Sequence, residues 1–188
     1  MQAIDVLMHE HRVIEQVLDA LDSAANRLAR GEAVPARFFL DAADFASGFA
    51  DGCHHRKEEG VLFPTMKQHG APPGGGAIEM MLDEHEQGRG YVRRLREAAR
   101  QLDAGDKGAA RRVIAAARGY AALLRDHIAK EDEMLFPLAD ELIPASEQAD
   151  VVAAFEEVEE AERDAPSHEE LLDLAERLTR EAAALVSK

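Results

Sequence analysis

Residues 53–64 read CHHRKEEGVLFP, and residues 126–137 read DHIAKEDEMLFP. The two segments align without a gap. Lys57 falls on Lys130, Glu58 on Glu131, and Leu62-Phe63-Pro64 on Leu135-Phe136-Pro137. His54 thereby corresponds to His127, and each has a glutamate four residues later, one helical turn along the same face. His11 and His85 keep nearly the same offset, 74 residues against 73. Two helix-pair halves related by an approximate two-fold aim both His–Glu pairs at one place. By the same logic of 100° per residue, His55 and Glu59 face outward.

The flanking sequence makes these segments bundle helices. Ile4, Leu7, His11, Ile14, Leu18, Leu21, Ala25 and Leu28 form an unbroken 3-4 seam with one polar member, while His9 faces away. Ile78, Met81, His85, Gly88, Val92, Leu95, Ala99 and Leu102 form a second such seam. In a third, Val113, Ala117, Tyr120, Leu124, His127, Glu131, Met134 and Leu138 put a histidine and a glutamate on the buried face. Turn signals at RGEAVP, APPGGG and DAGDKG bound four long helices, about 4–29, 36–68, 77–102 and 107–142. Two shorter ones follow near 146–163 and 167–186, the last opened by the Ser-x-x-Glu capping box of SHEE. The fold class is therefore all-α. An antiparallel up-down four-helix bundle over 1–144 carries two additional helices over 145–188, an acidic hairpin packed on the bundle or acting as an interaction arm.

Composition narrows the partners. A net charge of −15 over 188 residues repels nucleic-acid phosphate and an anionic membrane surface. Cys53 is the single cysteine, so no intramolecular disulfide forms. The first residues lack the basic and apolar regions of a signal peptide, and no run approaches ~18 apolar residues. The expectation is a cytoplasmic monomer or weak homo-oligomer with a small-molecule ligand, and no nucleic-acid or membrane partner.

The core thus receives His11, His54, Glu58, His85, His127 and Glu131. Buried carboxylates are costly unless paired, and a cluster of cations satisfies all six donors together. Mixed imidazole and carboxylate ligands suit iron, manganese or zinc. Two glutamates on opposite helices bridge a pair of metals roughly 3.5–4 Å apart. Two imidazoles on each metal, with an oxide or hydroxide bridge, leave a coordination position open for dioxygen, peroxide or nitric oxide.

Other residues have two readings. Tyr120 is either an amphipathic core residue or a phenol that hydrogen-bonds a bound oxygen species or takes part in redox, and Gly88 serves either a ligand pocket or close helix packing. Asp44, Ser47 and Asp51 mark a polar entry path, or else helix rotation lets Phe45 and Phe49 fill the core, the preferred alternative. Cys53 reads as a small buried apolar residue. Lys57, Lys130, His69, His168 and the run EEVEEAERD read as solvated.

The order His11, His54-x-x-x-Glu58, His85, His127-x-x-x-Glu131, with LFP after each pair, resembles the hemerythrin-like (HHE cation-binding) domain, in its bacterial four-His, two-Glu type. The resemblance covers about 4–142 and implies a non-haem di-iron centre whose ligands are these six residues. Arg89 stands where dioxygen-carrying hemerythrins have a further histidine, so the resemblance points to redox sensing, to peroxide or nitric-oxide handling, or to iron-centre repair. The function expected is binding or reduction of a small oxidant by a sensor or detoxifying protein. The alternatives are an iron-donating protein without catalysis and a helical interaction module with a structural metal.

Overall fold

A computed structural model describes residues 2–72, 74–160 and 166–186. The described residues form six helical rods. These are α1 (Ala3–Ala29), α2 (36–68), α3 (Ala77–Asp103), α4 (109–142), α5 (Gln148–Glu160) and α6 (His168–Val186). The expected extension of α5 to Arg163 falls on residues outside those described. Both long hairpins of the bundle end their first helix in the same way. Gly31 and Gly105 take φ of 79° and 82°, a region open to glycine, and the next amide reaches back across the turn. Glu32 N–H donates to the Arg27 carbonyl and Asp106 N–H to that of Gln101. At the other end of the chain the expected capping box is present. Ser167 Oγ accepts from Glu170 N–H (3.2 Å), and the Glu170 carboxylate accepts from Ser167 N–H (2.8 Å).

Around the bundle α1 packs on α4, α4 on α3 and α3 on α2, while the backbones of α1 and α2 come close at few points. Helix α6 fills the groove between those two. It brings Leu171, Ala175, Leu178 and Ala182 into the same apolar cluster as Ile14, Phe39 and Leu124. Close approach is permitted by Gly48 of α2, where a Cβ would lie only 2.8 Å from the Leu171 side chain. Phe45 and Phe49 are buried in that cluster and stack with centroids 5.1 Å apart.

A second apolar cluster at the other end joins Leu7, Phe63, Met81, Phe136 and Phe155. Along α1 the two clusters are represented by Leu7 and Ile14, with His11 between them; along α3 by Met81 and Val92, with His85 between them. A polar layer therefore crosses the bundle at this level. Because α6 contributes to the main core, Leu178→Ala should destabilise the whole chain by about 2–5 kcal/mol. A single cooperative shift of the denaturant midpoint would show it; an unchanged midpoint would mean that α6 is not integral to the core.

Candidate metal centre

The LFP motif shapes the polar layer. Proline has no N–H to donate and crowds the carbonyl four residues back. Immediately ahead of Phe63-Pro64 and Phe136-Pro137 the backbone widens into π-helical turns, Glu58–Leu62 and Glu131–Leu135. Glu58 and Glu131 thus each open a π turn. A longer π-helical stretch, Ala46–His55, precedes the first motif. An i→i+5 turn takes more residues per revolution than the 3.6 of an α-helix, so neighbours lie less than 100° apart.

That widening overturns the expected orientation of His55. It is only 3% exposed and lies inside, beside His54 at 1%. Its ring stacks on that of His85 with centroids 3.9 Å apart. Lys57, expected in solvent, is also fully buried, paired with Glu10 of α1 and Glu159 of α5. Glu59 is half-buried and engages His85 rather than water alone. Lys130 reaches Glu84 and Asp126, and His168 is half-buried beside Glu159. Within the run EEVEEAERD, Glu159 is thereby tied to the bundle. His69 bonds Glu147 near the surface (2.9 Å), and Cys53 is half-buried against the core. Phe45 and Phe49 do fill the core, while Ser47 and Asp51 border a cavity beside His55.

All six inward residues expected from the sequence meet in this layer, in two facing pairs. His11 and His54 bring their Nε2 atoms to 2.9 Å, and His85 and His127 bring theirs to 3.1 Å. Nitrogens each about 2.1 Å from one metal, at a right angle, would stand about 3 Å apart. The glutamates span the pairs. Glu58 places one oxygen 3.4 Å from His54 Nε2 and the other 3.4 Å from His85 Nε2. Glu131 does the same, at 3.2 Å from His11 and 3.3 Å from His127. The donor atoms fall into two groups, each within 4.8 Å: His11, His54, Glu58 and Glu131; and His55, Glu58, His85 and His127.

Outer carboxylates hold the rings in place. His11 Nδ1–H donates to Asp132 (2.7 Å), His54 to Glu10 (3.0 Å), His85 to Glu59 (2.8 Å) and His127 to Glu84 (3.0 Å). A carboxylate only accepts, so each Nδ1 carries a proton and each Nε2 is turned inward, where the neutral ring offers its lone pair. Behind these carboxylates stand Arg12, Lys57, Arg89 and Lys130. The sequence does carry this signal: Glu10 and Glu84 precede His11 and His85 at the same offset of 74 residues.

The fit to cations rests on what the protein leaves unmatched. All four oxygens of Glu58 and Glu131, and both ring nitrogens of His55, are buried with no hydrogen-bond partner among the described residues. Their protonation shows the same tension. Burial, and then the charge of Glu58, push the Glu131 carboxyl up to about 8. Burial also opposes ionisation of Glu58, but His54, His85 and His55 outweigh it and hold that group low. His11 rises to about 9 because Asp132 and Glu131 overcome its burial, and His85 does so through Glu58 and Glu59. Burial and the charge of His85 push His55 down to about 3. His127 falls to about 4, where burial exceeds the pull of Glu58.

The family model of the hemerythrin HHE cation binding domain matches residues 2–139, and the chain belongs to that family. Its members bind metal, and the buried His/Glu layer is where this chain has the donors to do so. Similar curated proteins include an uncharacterized protein of Mycobacterium bovis and uncharacterized proteins of two Mycobacterium tuberculosis strains. Each is 26% identical over 153 residues, which cover 81% of this chain and 59% of the relative. The chain thus spans about three fifths of the length of these relatives. No solved structure gives a significant match. Among the described residues, no helix is long and apolar enough to cross a membrane.

Outer carboxylates of this kind are worth about 10–100-fold in metal affinity. Glu10→Ala and Glu84→Ala should each weaken metal binding by that factor in a competitive chelator titration. Glu86→Ala, on an exposed side chain of α3, should leave it unchanged; equal losses in all three would refute a specific orienting role.

Proposed function

We propose that this layer holds two iron ions, and that the protein binds or reduces a small oxidant such as dioxygen, peroxide or nitric oxide, as a sensor or detoxifying protein. The observation that carries the reading is the pair of buried glutamates, each offering one oxygen to His11/His54 or His85/His127 and the other across the layer. Two such carboxylates would suit a two-metal site, in which the ions typically stand roughly 3.5–4 Å apart. His11 and His54 would hold one ion; His85 and His127, joined by His55, would hold the other. The same donors accept manganese or zinc; membership of the family favours iron.

When bound, an iron pair would supply one-electron redox and Lewis-acid chemistry at this point. The protein's own part is to position and to exclude water. Asp132, Glu10, Glu59 and Glu84 fix the rings with Nε2 turned inward and raise their basicity as ligands, and the apolar clusters above and below wall off solvent. We further propose a cytoplasmic location; the charge of −15 favours a monomer or weak homo-oligomer, with the small ligand as its partner.

Anaerobic iron loading, followed by titration with dioxygen, peroxide and nitric oxide under optical readout, tests this. The expected result is two irons per chain, with near-ultraviolet charge-transfer bands that respond to the oxidant. Purification with stoichiometric zinc and no spectral response would overturn it. Glu58→Ala should abolish both the pair and the response. Collapse of helicity on chelation would assign the metal a structural role instead, because binding energy would then be folding energy.

A further inference from the structure

We propose that His55 is the exchangeable imidazole of the centre, displaced by small ligands that enter through the cavity at its side. This rests on the two-ion reading above and adds to it an entry route, a ligand class and the residue that yields.

Four of the five inward histidines are locked, each by a carboxylate 2.7–3.0 Å from Nδ1. His55 has no such anchor. Its nearest carboxylate oxygen, on Asp51, is 3.5 Å away, and neither ring nitrogen makes a hydrogen bond to the described residues. Asp51 is itself engaged by Arg89, at 2.8 and 2.9 Å. His55 also lacks a counterpart in the repeat, where the equivalent residue is Ile128. The two-fold set of four imidazoles and two bridging carboxylates is complete without it.

A cavity of about 180 Å³ lies along this ring, bordered by Ser47, Asp51, His85, Gly88 and Tyr120. At about 30 Å³ per water molecule it admits roughly six water-sized atoms. Gly88 keeps it open, since a Cβ there would meet only the edge of Tyr120 at 3.8 Å. Arg89 bridges the mouth from α3 to Asp51 and Glu59 on α2. Tyr120 borders the cavity as well, and a phenol there can donate to a ligand. The class that fits is a small Lewis base with a hydrogen-bond-accepting end. Exchange breaks the coordinate bond from a His55 nitrogen and forms one from the incoming lone pair, with no electron or proton transferred.

The iron-loaded full chain, His55→Ala, His85→Ala and Gly88→Leu are compared for iron content and for optical titration with azide and imidazole. His55→Ala should retain two irons, whereas His85→Ala loses iron. The vacated space should bind imidazole about tenfold tighter than the unaltered chain does. Gly88→Leu, which obstructs the cavity at unchanged iron content, should slow azide binding by about tenfold. Iron loss in His55→Ala equal to that in His85→Ala would make His55 a fixed ligand and overturn the proposal. So would unchanged imidazole affinity, or azide entering Gly88→Leu at the original rate. If His55→Ala does not fold, Gly88→Leu decides alone. An unaltered chain that loads no iron pair overturns the underlying reading and this one with it; a loaded pair with unaltered ligand binding in the variants overturns this one only.

Discussion

The confrontation of Glu58 and Glu131 across the bundle interior governs the rest of the structure. Two carboxylates buried without hydrogen bonds would each carry a large desolvation penalty. The surroundings answer with alternating layers of charge. Imidazole nitrogens face the glutamates, carboxylates hold the outer imidazole nitrogens, and Arg12, Lys57, Arg89 and Lys130 stand behind those carboxylates. A net charge of −15 is thus compatible with a polar centre in which each buried group meets an opposite partner, save those directed at the middle. The uncompensated electron pairs at that midpoint are what make a cation the natural occupant.

Helical periodicity exposed much of this layer because it depends on straight α-helices. In α1 and α3 a lone histidine interrupts an apolar seam, and both His11 and His85 lie buried there. In α2 the seam was ambiguous, and the repeat supplied the register for His54 and Glu58. The same assumption of 100° per residue hid His55, because Ala46–His55 is π-helical and turns through less per residue. Gly48 and Gly52 within that stretch, and Pro64 after it, were the available cues. Glycine and proline punctuation, however, marks a distortion without giving its angle.

Lys57 illustrates a different limit. Its alignment with Lys130 invited one description for both, but Lys130 keeps some exposure and Lys57 has none. The difference comes from Glu159, which lies on α5, outside the repeat and beyond the residues 2–139 that the family model matches. A burial caused by a distant, non-repeated helix leaves no trace in the local pattern. Through Glu159, Lys57, Glu10 and His54, that helix is connected to the inner layer by an unbroken chain of polar contacts.

The departure from two-fold symmetry is therefore confined. His54, Glu58, His127 and Glu131 occupy equivalent places, as do Glu10 with Glu84 and Glu59 with Asp132. His55 against Ile128 breaks the equivalence, and the cavity lies on the side of that break, reaching His55 and His85. On the other side the equivalent position is held by the apolar, buried Ile128, while Phe136 on His11 and Phe63 on His85 keep the two-fold, with centroids 5.2 and 6.1 Å apart. A symmetric frame would present two similar faces to an incoming molecule. One residue placed by a widened helical turn, an imidazole where the other half has an aliphatic side chain, suffices to make the two halves of the centre chemically different.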